Sequence, residues 1–336
     1  MSCSLSVSRN FFNYYFVKWG LKEKSRLTLN THPDPILFNI NVDQVKYNKG
    51  LLKSIFRLVK EKKIKYYADT NKILVYSQDR KHSKEIDLDI DTLETVEKIL
   101  SCSKKFEDIE HNLFMVELDN NLKFLIRKVP VADIVTLKET IVNEEYAFLY
   151  PYIEGETVLD IGAYIGDTSI MFCLKGAKNV VAYEPDPLLF NLCTRNINLN
   201  NMASKIEVRN YGVSDKESLI NKKGYSFVKP ELLFDKERHS VAKEIEMKIL
   251  SFSKVIEQMK EIDVLKMDCE GAEFPAIIST PPYILKRIKA IGMECHANPE
   301  PLIDYLKKAD FKVEIKKEMK TQDRYLTILF AVQEDN

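Results

Sequence analysis

The chain has 336 residues, a length that suits two domains, and its 45% hydrophobic and 30% charged residues exclude a disordered or fibrous polymer. Lys plus Arg and Asp plus Glu balance at 50 each, so no global field draws the protein to nucleic acid or to an anionic membrane, and a polyanionic partner is not expected. The six cysteines form no CxxC pair and no Cys/His cluster at zinc-ligand spacing, which points to reduced thiols, a cytoplasmic setting and no metal of the zinc-finger type.

Met1 to Ser8 lacks a basic n-region and a continuous apolar stretch, and no run of about 18 apolar residues occurs, so neither a secretory leader nor a transmembrane segment is expected. Phe11 to Leu21, FFNYYFVKWGL, is aromatic enough for peripheral membrane contact, and an aromatic helix packed on its own domain explains it equally well. Tyr47 to Lys63 spaces Leu51, Leu52, Ile55, Leu58 and Val59 as a helix does. Ile64 to Ala68 and Ile73 to Tyr76 flank the polar turn Asp69-Thr70-Asn71 as a hairpin, and Thr92 to Leu100 reads as another short helix. Leu113 to Leu118 and Leu122 to Arg127 alternate apolar and polar across Asp119-Asn120-Asn121, a second hairpin. Residues 1–126 therefore read as an α+β region with no recognisable motif.

From about residue 127 the pattern changes to a helix through Ile134, Leu137 and Ile141, then to short strands alternating with helices, which is how a parallel α/β sheet is written. Strand Thr157 to Ile161 leads to helix Asp167 to Lys175, strand Asn179 to Tyr183 to helix Pro187 to Leu199, and strand Lys205 to Val208 runs toward Ser214. Residues 215–244 are polar and irregular, long enough for an insertion or lid. Helix Ser253 to Lys260, strands Asp263 to Met267 and Ala290 to Glu294, helix Glu300 to Ala309 and strands Phe311 to Ile315 and Tyr325 to Val332 complete the domain.

The chemistry is concentrated where these strands end. VLDIGAYIGDT, Val158 to Thr168, is an apolar strand, an acid, two glycine turns and an immediate helix, so the backbone of Gly162, Ala163, Tyr164 and Gly166 can approach a ligand near a helix N-terminus. The GxGxxG spacing that seats a pyrophosphate is absent, and Asp160, Asp167 and Thr168 border the loop. Acid suits a ligand that carries an ammonium and a sulfonium, as S-adenosylmethionine (SAM) does, better than it suits a dinucleotide. Strand VVAYE ends in Glu184, 24 residues after Asp160, placed to accept from both hydroxyls of a ribose, and Pro185 and Asp186 open the next helix. NYGVSD, with Val213 at its centre, is placed to flank the adenine, although an ordinary turn would look the same. VLKMDCEGAEF brings Asp268, Glu270 and Glu273 to the end of the fourth strand, and GMECHANPE brings Glu294 and His296 to the end of the next. Strand carboxyl ends face the ligand crevice in open α/β sheets, so Asp268, Glu270 and His296 are the candidate catalytic residues, with Asp268 also touching the cofactor. Thr280-Pro281-Pro282-Tyr283 is similar to the amino-group methyltransferase box, yet it follows a helix rather than the fourth strand and reads as a helix-terminating turn.

DIGAYIGDTS, YEPDP, NINLNN, LKMDCEGAEF and MECH, spanning residues 127–332 or so, together resemble the FkbM family of SAM-dependent methyltransferases. The resemblance implies a class I methyltransferase fold, Rossmann-like, with a mostly parallel sheet and helices on both faces. It further implies transfer of a methyl group to a hydroxyl of a sugar, glycan, glycolipid or similar small molecule. Asp160, Gly162, Gly166, Glu184 and Asp268 match the family pattern. Methyl transfer needs mainly alignment and exclusion of water, with Asp268 or His296 to take the hydroxyl proton. Three alternatives stand beside this reading: the acids could hold a divalent cation, although no DD or DN pair accompanies Asp268; the domain could be an NAD-dependent oxidoreductase, since Glu184 would suit a ribose diol there too, against which stand the missing GxGxxG and the acidic loop; or it could be a non-catalytic scaffold.

Overall fold

In the computed structural model the described residues are 24–30, 35–41, 64–67, 72–76, 83–87, 95–96, 98–99, 101–110, 112–128, 130–223, 244–320 and 325–333. The aromatic segment Phe11 to Leu21, the helix read over Tyr47 to Lys63, the turn Asp69 to Asn71 and the middle of the insertion lie outside them. The chain divides into one unit of residues 1–122 with 127–134 and a second of residues 123–126 with 135–336.

In the first unit, strands β1 (Lys24–Asn30) and β2 (Pro35–Asn41) pair antiparallel. The hairpin expected near residue 70 is present as β3 (Ile64–Tyr67) against β4 (Lys72–Tyr76), and a strand that the sequence reading lacked, β5 (Ser83–Asp87), adds to it antiparallel. Strands β6 (Ser103–Glu110) and β7 (Leu113–Leu118) pair likewise, with Phe114, Val116 and Leu118 buried. The turn after β7 forms at the predicted polar residues: Asn121 takes a positive φ of 65° and its N–H donates to the Leu118 carbonyl at 3.0 Å.

β8 (Lys123–Arg127) and α1 (Ala132–Leu137) are each divided between the two units, and the second unit goes on with a π-helical turn Lys138–Val142 and a 3-10 helix Ala147–Tyr152. Then come β9 (Thr157–Ile161), α2 (Asp167–Leu174), β10 (Asn179–Tyr183), α3 (Pro187–Leu199), β11 (Ile206–Arg209), β12 (Gly212–Ser214), β13 (Ser218–Lys223), β14 (Glu244–Ser251) and α4 (Phe252–Gln258). The unit closes with β15 (Val264–Met267), α5 (Glu273–Ser279), α6 (Pro282–Leu285), β16 (Ala290–Cys295), α7 (Glu300–Lys308), β17 (Phe311–Lys320) and β18 (Tyr325–Gln333).

Seven of these strands form one sheet in the order β11-β10-β9-β15-β16-β18-β17, which by rank along the chain is 3-2-1-4-5-7-6. The first five are parallel and β18 runs antiparallel to both of its neighbours, β16 and β17. This is the class I methyltransferase fold. Its central strands read as apolar runs because both faces are covered: every residue of β9 and of β15 is buried. The strand order reverses between β9 and β15, so their carboxyl ends diverge into the crevice where open α/β sheets bind ligands.

The stretch 215–244 departs from its irregular reading at both ends. β13 and β14 pair antiparallel from Ser218 opposite Ile249 to Lys223 opposite Glu244, and β12 lies parallel on the other edge of β14. The alternation was legible in EIEMKIL, where Met247 and Ile249 are buried. Thr280 caps the end of α5 and Pro282 opens α6, so TPPY is the helix-terminating turn that its position suggested.

NINLNN has a mechanical role. Asn196 is fully buried; its Oδ1 accepts the Leu125 N–H at 2.7 Å and its Nδ2 donates to the carbonyls of Leu125 and Ile165 at 3.1 and 2.9 Å. One turn later Asn200 accepts from the Lys123 N–H at 3.0 Å and donates to the Lys123 carbonyl at 2.7 Å. The two amides on one face of α3 thus satisfy β8 as a neighbouring strand would. Asn196→Leu should destabilise the domain by about 2–4 kcal/mol, since it strands buried backbone groups at about 1–3 kcal/mol each; the midpoint of denaturant unfolding at constant m measures it.

Candidate active site

The loop after β9 is shaped by close approach. Gly162 has φ +80°, and a Cβ there would lie 1.7 Å from the carbonyl oxygen of Asp268, so the loop and the end of β15 touch backbone to backbone. Gly166, at φ +88°, precedes α2, and Tyr164 also holds a positive φ of 50°. The N–H groups of Gly162 and Ala163 both donate to the Tyr183 carbonyl at 3.0 Å, tying the loop to the end of β10.

Beneath the loop lies a buried ion pair. Asp160, fully buried in β9, accepts from the hydroxyls of Thr168 at 2.6 Å and Ser169 at 2.5 Å. Lys266, in the middle of β15 and equally buried, places Nζ 3.2 Å from Asp160 Oδ1 and donates to the Gly162 carbonyl at 2.7 Å. Burial alone would lower its pKa; the carboxylates of Asp160, Asp268 and Asp167 outweigh burial and hold it above the usual lysine value. Burial pushes the Asp167 carboxyl up to about 6, against the Thr140 hydroxyl and the Lys266 charge.

Glu184 is buried at the end of β10. Its Oε2 accepts the Tyr164 N–H at 3.0 Å and its Oε1 the Asp186 N–H at 2.9 Å, which leaves one lone pair on each oxygen. Burial pushes this carboxyl up to about 8 in spite of both bonds. Asn210 donates to the carbonyls of Glu184 and Pro185 at 2.9 and 3.1 Å, so the segment before β12 is pinned to the same corner.

On the opposite side of the switch point the ends of β15 and β16 meet. Glu273, at the start of α5, accepts both the His296 N–H and its Nδ1 at 2.9 Å and, through Oε2, the Gly271 N–H at 2.9 Å. His296 Nε2 faces Glu294 at 3.4 Å and Glu270 at 3.6 Å. Burial would lower the His296 pKa, but its hydrogen bonds to Glu273 and Glu294 raise it to about 10. Burial pushes Asp268 up to about 7, with Lys266 opposing and Glu294 assisting. Carboxylates on both nitrogens thus favour the protonated imidazole of His296 in the ligand-free chain, while the Asp268 carboxyl is raised toward neutral pH.

The placement of the other sequence candidates divides them. Gly162, Tyr164 and Pro185 are partly exposed at the crevice, and Glu270 is exposed at its rim with φ 56°. Asp160, Asp167, Thr168 and Asp186 are buried; the side chains of Asp160 and Thr168 bond to each other, and Asp186 caps α3 through the Leu188 N–H at 2.8 Å. Ala163, Gly166 and Val213 are buried as well, so these positions shape the crevice from beneath. Two residues were missed. A lysine inside an otherwise apolar four-residue strand was the legible sign for Lys266. Tyr146, just before the 3-10 helix, had no such sign: its hydroxyl is buried without a hydrogen-bond partner and feels Asp268 and Glu294 most strongly among the charges around it.

Residues 160–313 match the model of the methyltransferase FkbM domain. The chain carries an FkbM methyltransferase domain. Among solved structures, the FkbM domain is similar to a methyltransferase FkbM from Methylobacillus flagellatus, at 17% identity over 60% of this chain and 54% of that one, with a TM-score of 0.36. It is also similar to a putative RNA methyltransferase from Pyrococcus horikoshii, at 17% identity over 60% and 85% of the two chains (TM-score 0.35). A third similar structure is TrmK of M. capricolum in complex with S-adenosyl-homocysteine, at 13% identity over 57% and 68% (TM-score 0.34). No curated protein matches the sequence. Among the described residues no helix is long and apolar enough to cross a membrane.

Lys266→Met should cost the FkbM domain about 3–5 kcal/mol, because it leaves Asp160 buried without its cation; the double variant with Asp160→Asn should recover part of that loss in thermal unfolding. Glu184 predicts a pH dependence. The folded state keeps a proton that the unfolded chain releases in the ordinary carboxylate range, so ligand-free stability should fall as pH rises from there through about 8. Glu184→Gln should flatten that fall in a series of melting curves.

Proposed function

We propose that the FkbM domain binds SAM in the crevice between β9 and β15 and transfers its methyl group to a hydroxyl of a sugar, glycan, glycolipid or similar small molecule. The observation that carries this reading is the contact of the Gly162 loop with the end of β15, which puts a cofactor-shaped loop beside a carboxylate rim. On the loop side, the backbone of Gly162 and Tyr164 and the remaining lone pairs of Glu184 suit a nucleoside whose ribose hydroxyls donate. The acid-bordered crevice favours a ligand with cationic ammonium and sulfonium groups over a pyrophosphate.

Asp268, Glu270 and Glu294 line the acceptor side. Carboxylates accept from sugar hydroxyls and repel phosphates, so the rim favours a polyhydroxylated small molecule over a nucleic acid. Residues 224–243 bring Tyr225, Phe227, Lys229, Phe234 and Arg238, a composition that suits the face of a glycan. In the transfer step the acceptor oxygen attacks the methyl carbon, the carbon–sulfur bond breaks with its electron pair going to sulfur, and S-adenosylhomocysteine leaves as a neutral thioether. The hydroxyl proton passes to the carboxylate cluster, with Asp268 nearest the loop. His296, held by Glu273, keeps that cluster in place. Alignment and exclusion of water supply most of the rate.

Calorimetric titration tests the cofactor half: SAM should bind at micromolar concentrations and NAD should not. Glu184→Ala should weaken SAM by about 10-fold or more, the worth of a charge-assisted hydrogen bond. Absence of binding by SAM and by S-adenosylhomocysteine would overturn the reading. With an acceptor in hand, Asp268→Asn should lower kcat by about 10²-fold, the usual worth of a positioned proton acceptor, and cost SAM affinity much less.

A further inference from the structure

Carboxylates at the ends of β15 and β16 outnumber the cations that face them. Lys266 is engaged by Asp160 and the Gly162 carbonyl, and His296 Nδ1 is engaged by Glu273. Asp268 and Glu294 are left, both partly buried, and among the described residues neither has an ion pair to lysine or arginine within 4.0 Å. Two partly buried carboxylates that share a single imidazole, itself engaged by Glu273, are a standing electrostatic cost, which a doubly charged ion would relieve.

The geometry around them is that of a ligand set. One donor atom each from Asp268, Glu294 and His296 lie within 4.8 Å of one another. Ligands about 2.1 Å from a shared ion sit about 3 Å apart at right angles, so small side-chain rotations close the set. His296 presents Nε2 to Glu294 while Nδ1 bonds to the buried Glu273 carboxylate at 2.9 Å, the outer-shell arrangement that orients metal-bound histidines. A second, separate observation is the Tyr146 hydroxyl, 97% buried by residue and without a partner, for which Asp268 and Glu294 are the strongest neighbouring charges. A buried hydroxyl without a partner, within electrostatic reach of those two carboxylates, is accounted for if a bound water or acceptor oxygen lies against it.

We propose that Asp268, Glu294 and Nε2 of His296 form a binding site for a divalent transition-metal cation, with Glu273 as the positioning residue behind the histidine. A nitrogen with two carboxylate oxygens suits Mn2+, Fe2+ or Zn2+ better than Mg2+ or Ca2+, which favour oxygen alone. Three protein ligands leave positions open for two neighbouring oxygens of the acceptor, such as a vicinal diol, which the ion would orient while easing loss of the hydroxyl proton. Only this last step rests on the methyl-transfer reading; the site itself does not.

The experiment is titration of the purified full chain with Mn2+ in the absence of SAM, followed by calorimetry and by the electron paramagnetic resonance signal of free Mn2+. One equivalent should bind at micromolar concentrations, with Mg2+ at least 10-fold weaker. Glu294→Gln and His296→Asn should each weaken Mn2+ by 10-fold or more while SAM affinity stays within 3-fold, which shows that the variants are folded. Glu273→Gln should weaken it less, and Glu273→Asp should recover part of the loss. Absence of saturable binding, binding unchanged in both ligand variants, or displacement of Mn2+ by saturating SAM would each overturn the site, the last by assigning the carboxylates to the cationic end of the cofactor. A chain that binds SAM but not Mn2+ loses the metal site alone, and one that binds Mn2+ but not SAM loses the cofactor reading alone.

Discussion

The buried pair between Asp160 and Lys266 is the interaction on which the rest of the active site depends. It joins the first and fourth strands of the sheet at the point where strand order reverses, and through the Gly162 carbonyl it also sets the path of the loop that leaves β9. A charged pair in this position is weak evidence for stability, because an apolar pair of similar volume would do as well or better. Its effect here is positional. Removing water from both charges makes their mutual geometry strict, and the hydroxyls of Thr168 and Ser169 complete the coordination of Asp160, so that α2 starts where the loop ends.

From that anchor the site separates into two electrostatic halves. Toward β10 stands Glu184, buried, with its oxygens aligned by the Tyr164 and Asp186 N–H groups. Toward β16 the acids converge on His296, and Lys266 lies between the halves with its charge already matched by Asp160. A ligand that bridged the halves would meet one carboxylate at one end and a cluster at the other. That asymmetry is what a cofactor with a neutral ribose and a cationic sulfonium would exploit, and it explains why an acid-rich crevice and a protein of zero net charge are compatible.

Much of the fold was legible because parallel strands covered on both faces leave an unmistakable trace. TVLDI, NVVAY and VLKM are apolar runs of strand length followed by glycine or acid, and helix Pro187–Leu199 appears with the bounds that its Asp cap and N1 proline announce. The β12-β14-β13 sheet was less so, since its strands expose polar residues on one face and pair across a long insertion, and local composition there resembles that of a loop. The acid rim could be read as a set of residue types, but not the role of each member.

By itself, the sequence determined the alternation of strands and helices from β9 to β11 and from α4 to β18, the resemblance to the FkbM family and the positions where glycine and acid must stand, because these depend on local periodicity and on backbone conformations that few residues adopt. Tertiary structure alone decided which acids keep free lone pairs at the ends of the strands and which are engaged within the scaffold. Asp160, Asp186 and Glu273 are indistinguishable from Glu184, Asp268 and Glu294 until burial and partners are known. It also decided that His296 is held between Glu273 and Glu294 and that Lys266 and Tyr146 lie among the same acids. The physical reason is that charge and solvation at a carboxylate are set by atoms dozens to hundreds of residues away along the chain, and only folding brings them within a few ångströms.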